Sequence, residues 1–308
     1  MNSQSNTISG SEVGTGVGAH IAGWPTNPFL WALRREFWEY RSLYIAPLAA
    51  AGIFLVGFIV TIGHQITNVR GMSGMDAMEQ RNALAGPYDM ASGLMMAVGM
   101  IVGAYYALEA LYGERRDRSI LFWKSLPVSD LTTVLAKAFI PIILLQLLCW
   151  MIAVVLQFLM LLIQSAVMAG SGEHVSMLWA QLSPIEMWIM LLNHLITVHG
   201  LYYAPFYGWM LLVSSWARKA PFLWAALPVL ALGALEKLVL NTSYFFHMLG
   251  DRLGGNPAVV FVKDWPADPM TQLMPGHFLL SPVLWSGLIF TALCVAGAVR
   301  MRRYRSPL

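Results

Sequence analysis

Long apolar runs alternate with short polar segments along most of the chain. Six runs stand out, and they are Leu43–Ile62, Met90–Tyr112, Ala138–Ile163, Met187–Ala217, Pro221–Leu240 and Leu279–Val299. A helix needs about 20 residues to cross a bilayer, and each run is about that long or longer. Because lipid offers the backbone no hydrogen-bond partners, runs of this length must be helical. The pattern predicts an all-α integral membrane protein with six transmembrane helices.

A different pattern precedes the first run. Large apolar residues recur there at helical spacing, at Leu30, Leu33, Phe37, Tyr40 and Tyr44. Arg34 and Arg41 lie at the edge of this stripe, which predicts an amphipathic elbow helix along the membrane surface. The alternative is a simple N-terminal extension of the first span. Residues 1–27 are rich in Ser, Gly, Asn and Thr and are expected to form a disordered polar tail, which leaves 28–308 as the folded domain.

Composition agrees with a membrane protein and the charge distribution orients it. The chain is 57% hydrophobic and only 11% charged, whereas soluble domains carry about 25% charge. The net charge of +3 is therefore not interpreted as nucleic-acid binding. A cytoplasmic N-terminus would place 14 of the 19 Lys and Arg residues inside and five outside. Since cytoplasmic loops are rich in Lys and Arg, we expect both termini in the cytoplasm and a multi-pass protein of the inner membrane.

The segment 113–130, GERRDRSILFWKSLPVSD, is the most unusual of the predicted cytoplasmic loops. Ile120 to Trp123 are apolar on every side of a helix, and burying each fully would stabilise by roughly 1.5–3 kcal/mol. The surrounding arginines resemble the polar rim of an interface. The loop thus predicts a short helix that docks into another protein, the alternative being a helix that touches only lipid headgroups. The residues assigned to this surface are Glu114, Arg115, Arg116, Arg118, Ile120, Leu121, Phe122, Trp123 and Lys124.

Three local predictions concern a helix cap, an ion pair and the two cysteines. Ser129 is expected to cap the third span, with Asp130 in the favourable first turn. Glu109, near the end of the second span, is expected to pair with a nearby arginine. The cysteines Cys149 and Cys294 each lie inside an apolar run, which favours buried thiols.

The same loop resembles the first cytoplasmic loop of the ATP-binding-cassette (ABC) type 2 permeases. The family pattern is roughly Glu-x-x-x-Gly-Thr/Ser, apolar residues, Ser-x-Pro-Val-Ser and a later Lys. The matching residues are Glu114, Ser119, Ser125, Pro127, Val128, Ser129 and Lys137. Arg118 departs from the pattern, because the family has Gly at this position.

The resemblance implies a fold and a function. It implies an elbow helix, six spans, cytoplasmic termini and a coupling helix seated in a cleft of a separate ATPase. It also implies an exporter with two ATPase copies, which carry the ATP and Mg²⁺, and a second copy of this permease or a related one. The chain has no phosphate-binding Gly-x-x-x-x-Gly-Lys-Ser/Thr loop. We therefore expect it to be neither an enzyme nor a cofactor carrier by itself, and its substrate stays open.

Two other functional classes were weighed. An intramembrane hydrolase or a haem or quinone protein would use His194 and His199. Their separation of five residues places them about 140° apart on an α-helix, which speaks against a shared site. An ion-driven secondary transporter is disfavoured because the spans carry few charges and no repeat is visible.

Within the fourth run, four polar residues share one helical face with Glu186. They are Asn193, His199, Tyr203 and Tyr207, on a face about 140° wide. Such a stripe beside a bend at Pro205 could line a translocation path, and the alternative is hydrogen bonding between helices of the bundle.

Three other patterns receive structural interpretations. Gly99, Gly103 and Ala107 recur every four residues and predict close helix packing. The methionines Met72, Met75 and Met78 are a weak Cu(I) candidate, with a Met-rich apolar edge as the favoured reading. By the family resemblance, Asn241–Pro282 is expected to contain short helices that dip back from the outer face.

Overall fold

The computed structural model describes residues 27–71, 77–125, 128–172, 175–253 and 279–304. These residues form helices and short connections, and none of them belongs to a strand. Most of the predicted polar tail lies outside the described residues, as do Met72, Met75, the side chain of Met78 and residues 254–278. Both cysteines are buried as free thiols.

The described residues of the first half of the chain form seven α-helices and one π-helical segment. They are α1 (Pro28–Glu39), α2 (Ser42–Gly71), α3 (Ala77–Glu109), α4 (Tyr112–Arg116), α5 (Ile120–Ser125), α6 (Asp130–Phe139), the first π segment (Ile140–Leu144) and α7 (Leu145–Gly170). The second half continues with α8 (Val175–Leu182), α9 (Pro184–His194), the second π segment (Leu195–Tyr202), α10 (Ala204–Trp216), α11 (Pro221–Leu240), α12 (Tyr244–Leu253) and α13 (Pro282–Tyr304).

Five helical stretches among the described residues are long and apolar enough to cross a membrane. They are Ser42–Gly63, Gln80–Arg116, Asp130–Gly170, Pro221–Leu240 and Pro282–Tyr304. These helices make the chain a multi-pass, all-α membrane protein, and they correspond to five of the six predicted spans. The remaining prediction, Met187–Ala217, is not one continuous α-helix. It is divided among α9, the second π segment and α10, with a break at Tyr203 just before Pro205.

The helix α1 is separate from the first span. It starts after Asn27, whose side chain accepts a hydrogen bond from the amide of Phe29, and it ends before Tyr40. Its buried residues are Leu33 and Glu36. Leu30, assigned to the apolar stripe, is instead exposed, because the buried face turns through Glu36.

Small residues set the distances between the packed helices. A side chain at Gly103 would lie 3.0 Å from the ring of Tyr207, and one at Gly99 would lie 3.1 Å from Cys149 Sγ. Gly208 of α10 packs in the same way against Thr291 of α13. The packing role predicted for Gly99 and Gly103 is therefore confirmed. Close helix contact of this kind depends on residues without bulk at the crossing.

Candidate functional site: the 113–130 loop and two buried polar clusters

The described residues of the 113–130 loop include two short helices joined by a tight turn. The helix α4 ends at Arg116, and α5 begins at Ile120. Between them Arg118 has a φ of 57°, in the left-handed region. Non-glycine residues adopt this region at a cost, because Cβ approaches the carbonyl oxygen. The one residue that departs from the family pattern thus has the backbone conformation that favours the family's glycine.

A buried cluster of charges, here named the ion cluster, fixes one side of this loop. The Glu114 carboxylate pairs with Arg302 of α13, with Arg35 Nη2 at 2.9 Å and with Lys137 Nζ at 3.2 Å. Arg302 Nε also lies 3.0 Å from Asp130 Oδ1. Four segments of the chain therefore meet at one carboxylate: α1, α4, α6 and α13.

Glu36 is the second carboxylate of the ion cluster. Its oxygens accept hydrogen bonds from Lys137 Nζ at 2.8 and 2.9 Å and from the Tyr106 hydroxyl at 2.8 Å. Lys137 is completely inaccessible to solvent, and Glu36 and Glu114 are buried with it. The three cations Arg35, Lys137 and Arg302 balance the three anions Glu36, Glu114 and Asp130. Each buried charge is thus compensated, as burial in a low-dielectric interior requires.

Charge and burial also act on the two residues at the edge of this cluster. Burial raises the pKa of the Glu39 carboxyl, and the nearby Glu36 carboxylate raises it further. Burial also raises the pKa of the Tyr40 hydroxyl well above its usual range. Tyr40 stays a neutral phenol that points at the Glu109 carbonyl, 3.4 Å away.

Arg115 connects the loop to the end of α10. Its guanidinium donates to the carbonyl oxygens of Ser215 and Ala217, the second at 2.5 Å. The last carbonyls of a helix have no partner within the helix, so a buried cation from another segment satisfies them. Arg115 therefore fastens the loop to α10.

The assigned apolar run divides into buried and exposed residues. Ile120 is only 2% exposed, whereas Leu121 is 58% and Phe122 is 61% exposed. Trp123 is half-buried beneath the Arg35 guanidinium, with Arg35 Cζ 4.1 Å from its ring centre. Of the assigned charged residues, Arg116, Arg118 and Lys124 are exposed. The free face of α5 is therefore built around Leu121 and Phe122 rather than around all four apolar residues.

Two of the local predictions for this loop are confirmed. The Ser129 hydroxyl accepts a hydrogen bond from the amide of Thr132 at 3.0 Å, and α6 begins at Asp130. Glu109 pairs with Arg116 at 2.7 Å.

The second polar cluster surrounds the second π segment. The rings of His194 and His199 lie 5.5 Å apart, and Tyr203 lies 5.4 Å from His199. The prediction that the two histidines point about 140° apart is wrong. It assumed α-helical winding, but π-helical winding brings residues five apart onto one side. Among the described residues, no three His, Cys, Asp or Glu side chains are grouped to hold a metal ion.

The residues assigned to a translocation path lie mostly inside this single chain. His199, Tyr203 and Tyr207 are buried, and Asn193 is half-buried. His199 Nδ1 is buried without a hydrogen-bond partner, and the Tyr207 hydroxyl and the Gln146 side chain interact with each other only outside ordinary hydrogen-bond geometry. Tyr203 is different, because its hydroxyl donates to the Leu253 carbonyl at 2.9 Å. The polar residues around the second π segment are here named the π cluster, and they are Gln146, Asn193, His194, His199, Tyr203 and Tyr207.

The two π segments cross at a glycine. A Cβ at Gly200 would lie 2.5 Å from the carbonyl oxygen of Ile142. Backbone that approaches this closely leaves no room for any side chain. The helix α12 closes the other side of the second π segment, where Arg252 donates to the Tyr202 carbonyl at 3.2 Å and lies over the Tyr202 ring. The helix α12 thus packs against the second π segment, while residues 254–278 of the segment expected to dip back lie outside the described residues.

Sequence reasoning missed Glu36 and Tyr106 as site residues. A signal for Glu36 exists, because it stands three residues after Leu33 and four before Tyr40 on the inward side of α1. A carboxylate at such a position needs a buried cation. Nothing in the sequence identifies which of the 19 Lys and Arg residues supplies it.

Comparison of the chain with protein-family models, with curated proteins and with solved structures finds no match.

Proposed function

We propose that this chain is the membrane subunit of an ATP-driven exporter of the ABC type 2 permease kind, and that α5 is its contact with a separate ATPase. The observation that carries the proposal is the contrast within α5. Leu121 and Phe122 are exposed, yet the loop beneath them is fixed by buried ion pairs. A rigid base with two protruding apolar side chains suits a partner's pocket, because such anchors dominate binding energy.

The residues of the resemblance support this proposal by their contacts. Glu114 and Lys137 both match the family pattern, and although 23 positions separate them in this chain they form an ion pair at 3.2 Å. Arg118, at the family's glycine position, has the left-handed backbone. A pattern that occurred by chance would have no reason to fold into one interacting unit.

The proposal includes six spans with both termini on the cytoplasmic side. Segments that the charge rule assigns to one side contact one another: α1, the 113–130 loop, the start of α6, the end of α10 and the end of α13. The helix α7 runs away from this end, whereas α10 returns to it at Ala217. The stretch from α9 to α10 then serves as the sixth crossing, and its polar residues keep its mean hydropathy low.

In the proposed assembly two copies of the ATPase, with their ATP and Mg²⁺, dock on two permease halves. The second half is another copy of this chain or a related permease. The helix α11 buries few of its own residues, and it exposes Phe222, Leu223 and Leu238 to lipid or to that second half. The chain itself binds neither nucleotide nor metal in this scheme, and the cargo is left open.

A site-specific cross-link tests the proposed contact. A photo-reactive benzoylphenylalanine in place of Phe122 should trap a chain that contains an ATP-binding cassette, identified by its peptides. The same group in place of Lys219, an exposed residue of another loop on the same side, should not. Adducts with lipid alone at position 122 would contradict the proposal.

A turnover measurement on the co-purified complex gives the second test. The double variant Leu121→Ser, Phe122→Ser should weaken the ATPase association about a hundredfold or more, since each buried anchor is worth roughly 1.5–3 kcal/mol. The isolated membrane subunit should unfold like the wild type, because both side chains are exposed in it. Unchanged ATP turnover in the variant complex would remove α5 as the contact.

One observation favours a second candidate function. The adjacent His194 and His199 rings in the π cluster could serve an intramembrane redox or hydrolytic site. A haem bound there would give the purified chain a strong visible absorption band that the variant His199→Phe lacks. A chain purified from its native membrane without such a band would exclude the haem form of this reading.

A further inference from the structure

Exposed positive charges flank the two exposed apolar side chains of α5. Arg118 stands shortly before α5 and Lys124 lies in its last turn, so the two cations lie on either side of Leu121 and Phe122 along the chain. Lys124 Nζ lies 3.5 Å from the carbonyl oxygen of Arg303, in the last turn of α13. Arg303 is itself exposed. The free face of α5 therefore has a basic residue at each end, and the end of α13 brings a third cation to the side of Lys124.

The charges of these three cations are not compensated within the part of the chain that the structure describes. None of the ion pairs among the described residues includes any of the three. Arg116 of the same loop is different, because it pairs with Glu109 at 2.7 Å and with Asp117 at 3.0 Å. The charge of Arg116 is therefore used inside the chain, whereas the other three charges can meet the carboxylates of a partner.

The last turn of α13 and the helix α5 are held together by the ion cluster. Arg302, the residue before Arg303, is buried and pairs with Glu114 and with Asp130. Glu114 precedes α5 in the chain and Asp130 follows it, so these pairs hold the end of α13 against the loop on both sides of α5. Since a surface that is fixed before binding loses little conformational freedom in the complex, this arrangement suits a docking site.

The position of these residues favours a protein partner over lipid headgroups. The apolar part of the last span ends at Val299. Arg303 follows four residues later in α13, which corresponds to about 6 Å along a helix. The preference of cytoplasmic loops for Lys and Arg explains the sign of the charges on this side of the membrane. It does not explain why three of them flank two exposed apolar side chains. An apolar centre with a charged rim is typical of protein interfaces.

We infer that α5 and the last turn of α13 form one docking surface, and that the partner's pocket for this surface has an acidic rim. The pocket takes Leu121 and Phe122, and carboxylates at its rim meet Arg118, Lys124 and Arg303. The inference rests on the proposed function where it takes the partner to be the ATPase subunit. It adds the charge of the ATPase pocket and a second contact, from the end of α13. Because complementary charge acts mainly on the rate and orientation of association, the contact is sensitive to salt.

The test measures how salt and charge affect the cross-link at position 122. The full-length chain, with benzoylphenylalanine in place of Phe122, is placed in lipid nanodiscs and titrated with the purified protein that the cross-link captures. Raising NaCl from about 50 mM to about 500 mM should raise the half-saturating concentration about tenfold, since salt screens exposed charges. At the lower salt, Lys124→Glu and Arg303→Glu should each raise it about threefold to tenfold, and Arg303→Gln by less.

A matched control separates this surface from the general charge of the cytoplasmic side. Lys219→Glu reverses an exposed charge on another loop and should associate like the wild type. Because Lys124 and Arg303 are exposed, their variants should also unfold like the wild type.

The outcomes distinguish this inference from the proposed function. An ATPase adduct that neither salt nor Lys124→Glu weakens would overturn the acidic rim and leave the proposed function standing, as would equal losses in Lys124→Glu and Lys219→Glu. An unchanged affinity in Arg303→Glu would remove α13 from the surface. A captured protein without an ATP-binding cassette, with the expected salt and charge dependence, would support the surface and contradict the proposed function. Adducts with lipid alone would contradict both.

Discussion

The ion cluster and the π cluster are both polar and largely buried, but they differ in how well their polar atoms are paired. In the ion cluster, Glu36 and Glu114 each meet at least two cations or donors, and among its described buried atoms only Arg35 Nε has no hydrogen-bond partner. In the π cluster, His199 Nδ1 has no hydrogen-bond partner, and Tyr207 Oη and Gln146 Oε1 interact only outside ordinary hydrogen-bond geometry. Fully paired buried groups stabilise one arrangement of the segments that carry them, whereas unpaired groups favour any change that provides a partner. The ion cluster thus stabilises one position of the loop. In the π cluster, a rearrangement of the helices could provide hydrogen-bond partners that are missing in this conformation.

The largest expected effect comes from removing the central cation of the ion cluster. Lys137→Met leaves Glu36 without its lysine and Glu114 with one cation fewer, and breaking a buried pair in this way costs about 3–5 kcal/mol. Denaturant unfolding in detergent should show this loss. Lys124→Met, at an exposed lysine of the same loop, should unfold like the wild type. If both variants unfold alike, the cluster contributes little to stability.

A matched pair of hydroxyl deletions compares the two clusters directly. Tyr106→Phe removes a buried hydroxyl that donates to Glu36, a charged hydrogen bond worth about 1.5–3 kcal/mol. Tyr207→Phe removes a buried hydroxyl whose contact with Gln146 is weak, so the free energy of unfolding should stay the same or increase. Equal losses in the two variants would abolish the distinction drawn here.

A substitution at Gly200 tests the crossing of the π segments, because alanine is expected to destabilise the helix there rather than to stabilise it. Alanine normally stabilises a helix relative to glycine by about 0.5–1 kcal/mol. At Gly200, however, the added carbon meets the Ile142 carbonyl at 2.5 Å, so Gly200→Ala should destabilise by about 1–3 kcal/mol. Gly250→Ala in α12, where no atom lies within 4 Å, should show the ordinary gain. Thermal unfolding of both variants measures the difference in sign.

The smallest expected effect concerns the turn before α5. Arg118→Gly relieves the left-handed strain at an exposed position and should stabilise the chain by about 1 kcal/mol. Arg116→Gly, within α4, should instead destabilise, because it adds a glycine to a helix and removes the pair with Glu109. A loss of stability in Arg118→Gly would mean that the arginine side chain contributes more than its backbone costs.

The sequence predicts what depends on local pattern and not what depends on partners distant in the chain. Leu43–Ile62 and Ala138–Ile163 are long apolar runs, and both fall within observed helices of sufficient length. The cap at Ser129 and the pair between Glu109 and Arg116 involve residues close in sequence. The ion cluster joins Arg35 to Glu114 across 79 positions and Glu114 to Arg302 across 188. Pairs between residues so far apart in the chain leave no periodic pattern in the sequence from which they could be predicted.

The errors at the candidate site have a related cause. The angle between His194 and His199 was derived from α-helical winding, and the sequence LITVHGLY carries no mark of a π-helix. The exposure of Ile120 was overestimated because four apolar residues in a row fix neither which of them faces the bundle nor which faces outward. That choice is made by tertiary packing, which a run of four apolar residues does not encode. The elbow-like start at Asn27 was open to prediction, because a capping residue followed by Pro28 marks a helix start.

The place of Arg302 in the chain gives the ion cluster a consequence for biosynthesis. Arg302 belongs to α13, so it leaves the ribosome after every other member of the cluster. Until then Glu36, Glu114 and Asp130 face only Arg35 and Lys137, and the ion cluster has one negative charge in excess. The ion cluster is therefore completed only after α13 has been synthesised, when Arg302 can pair with Glu114 and Asp130. Chains that terminate before it would present an open, charged seam that cellular quality control can recognise.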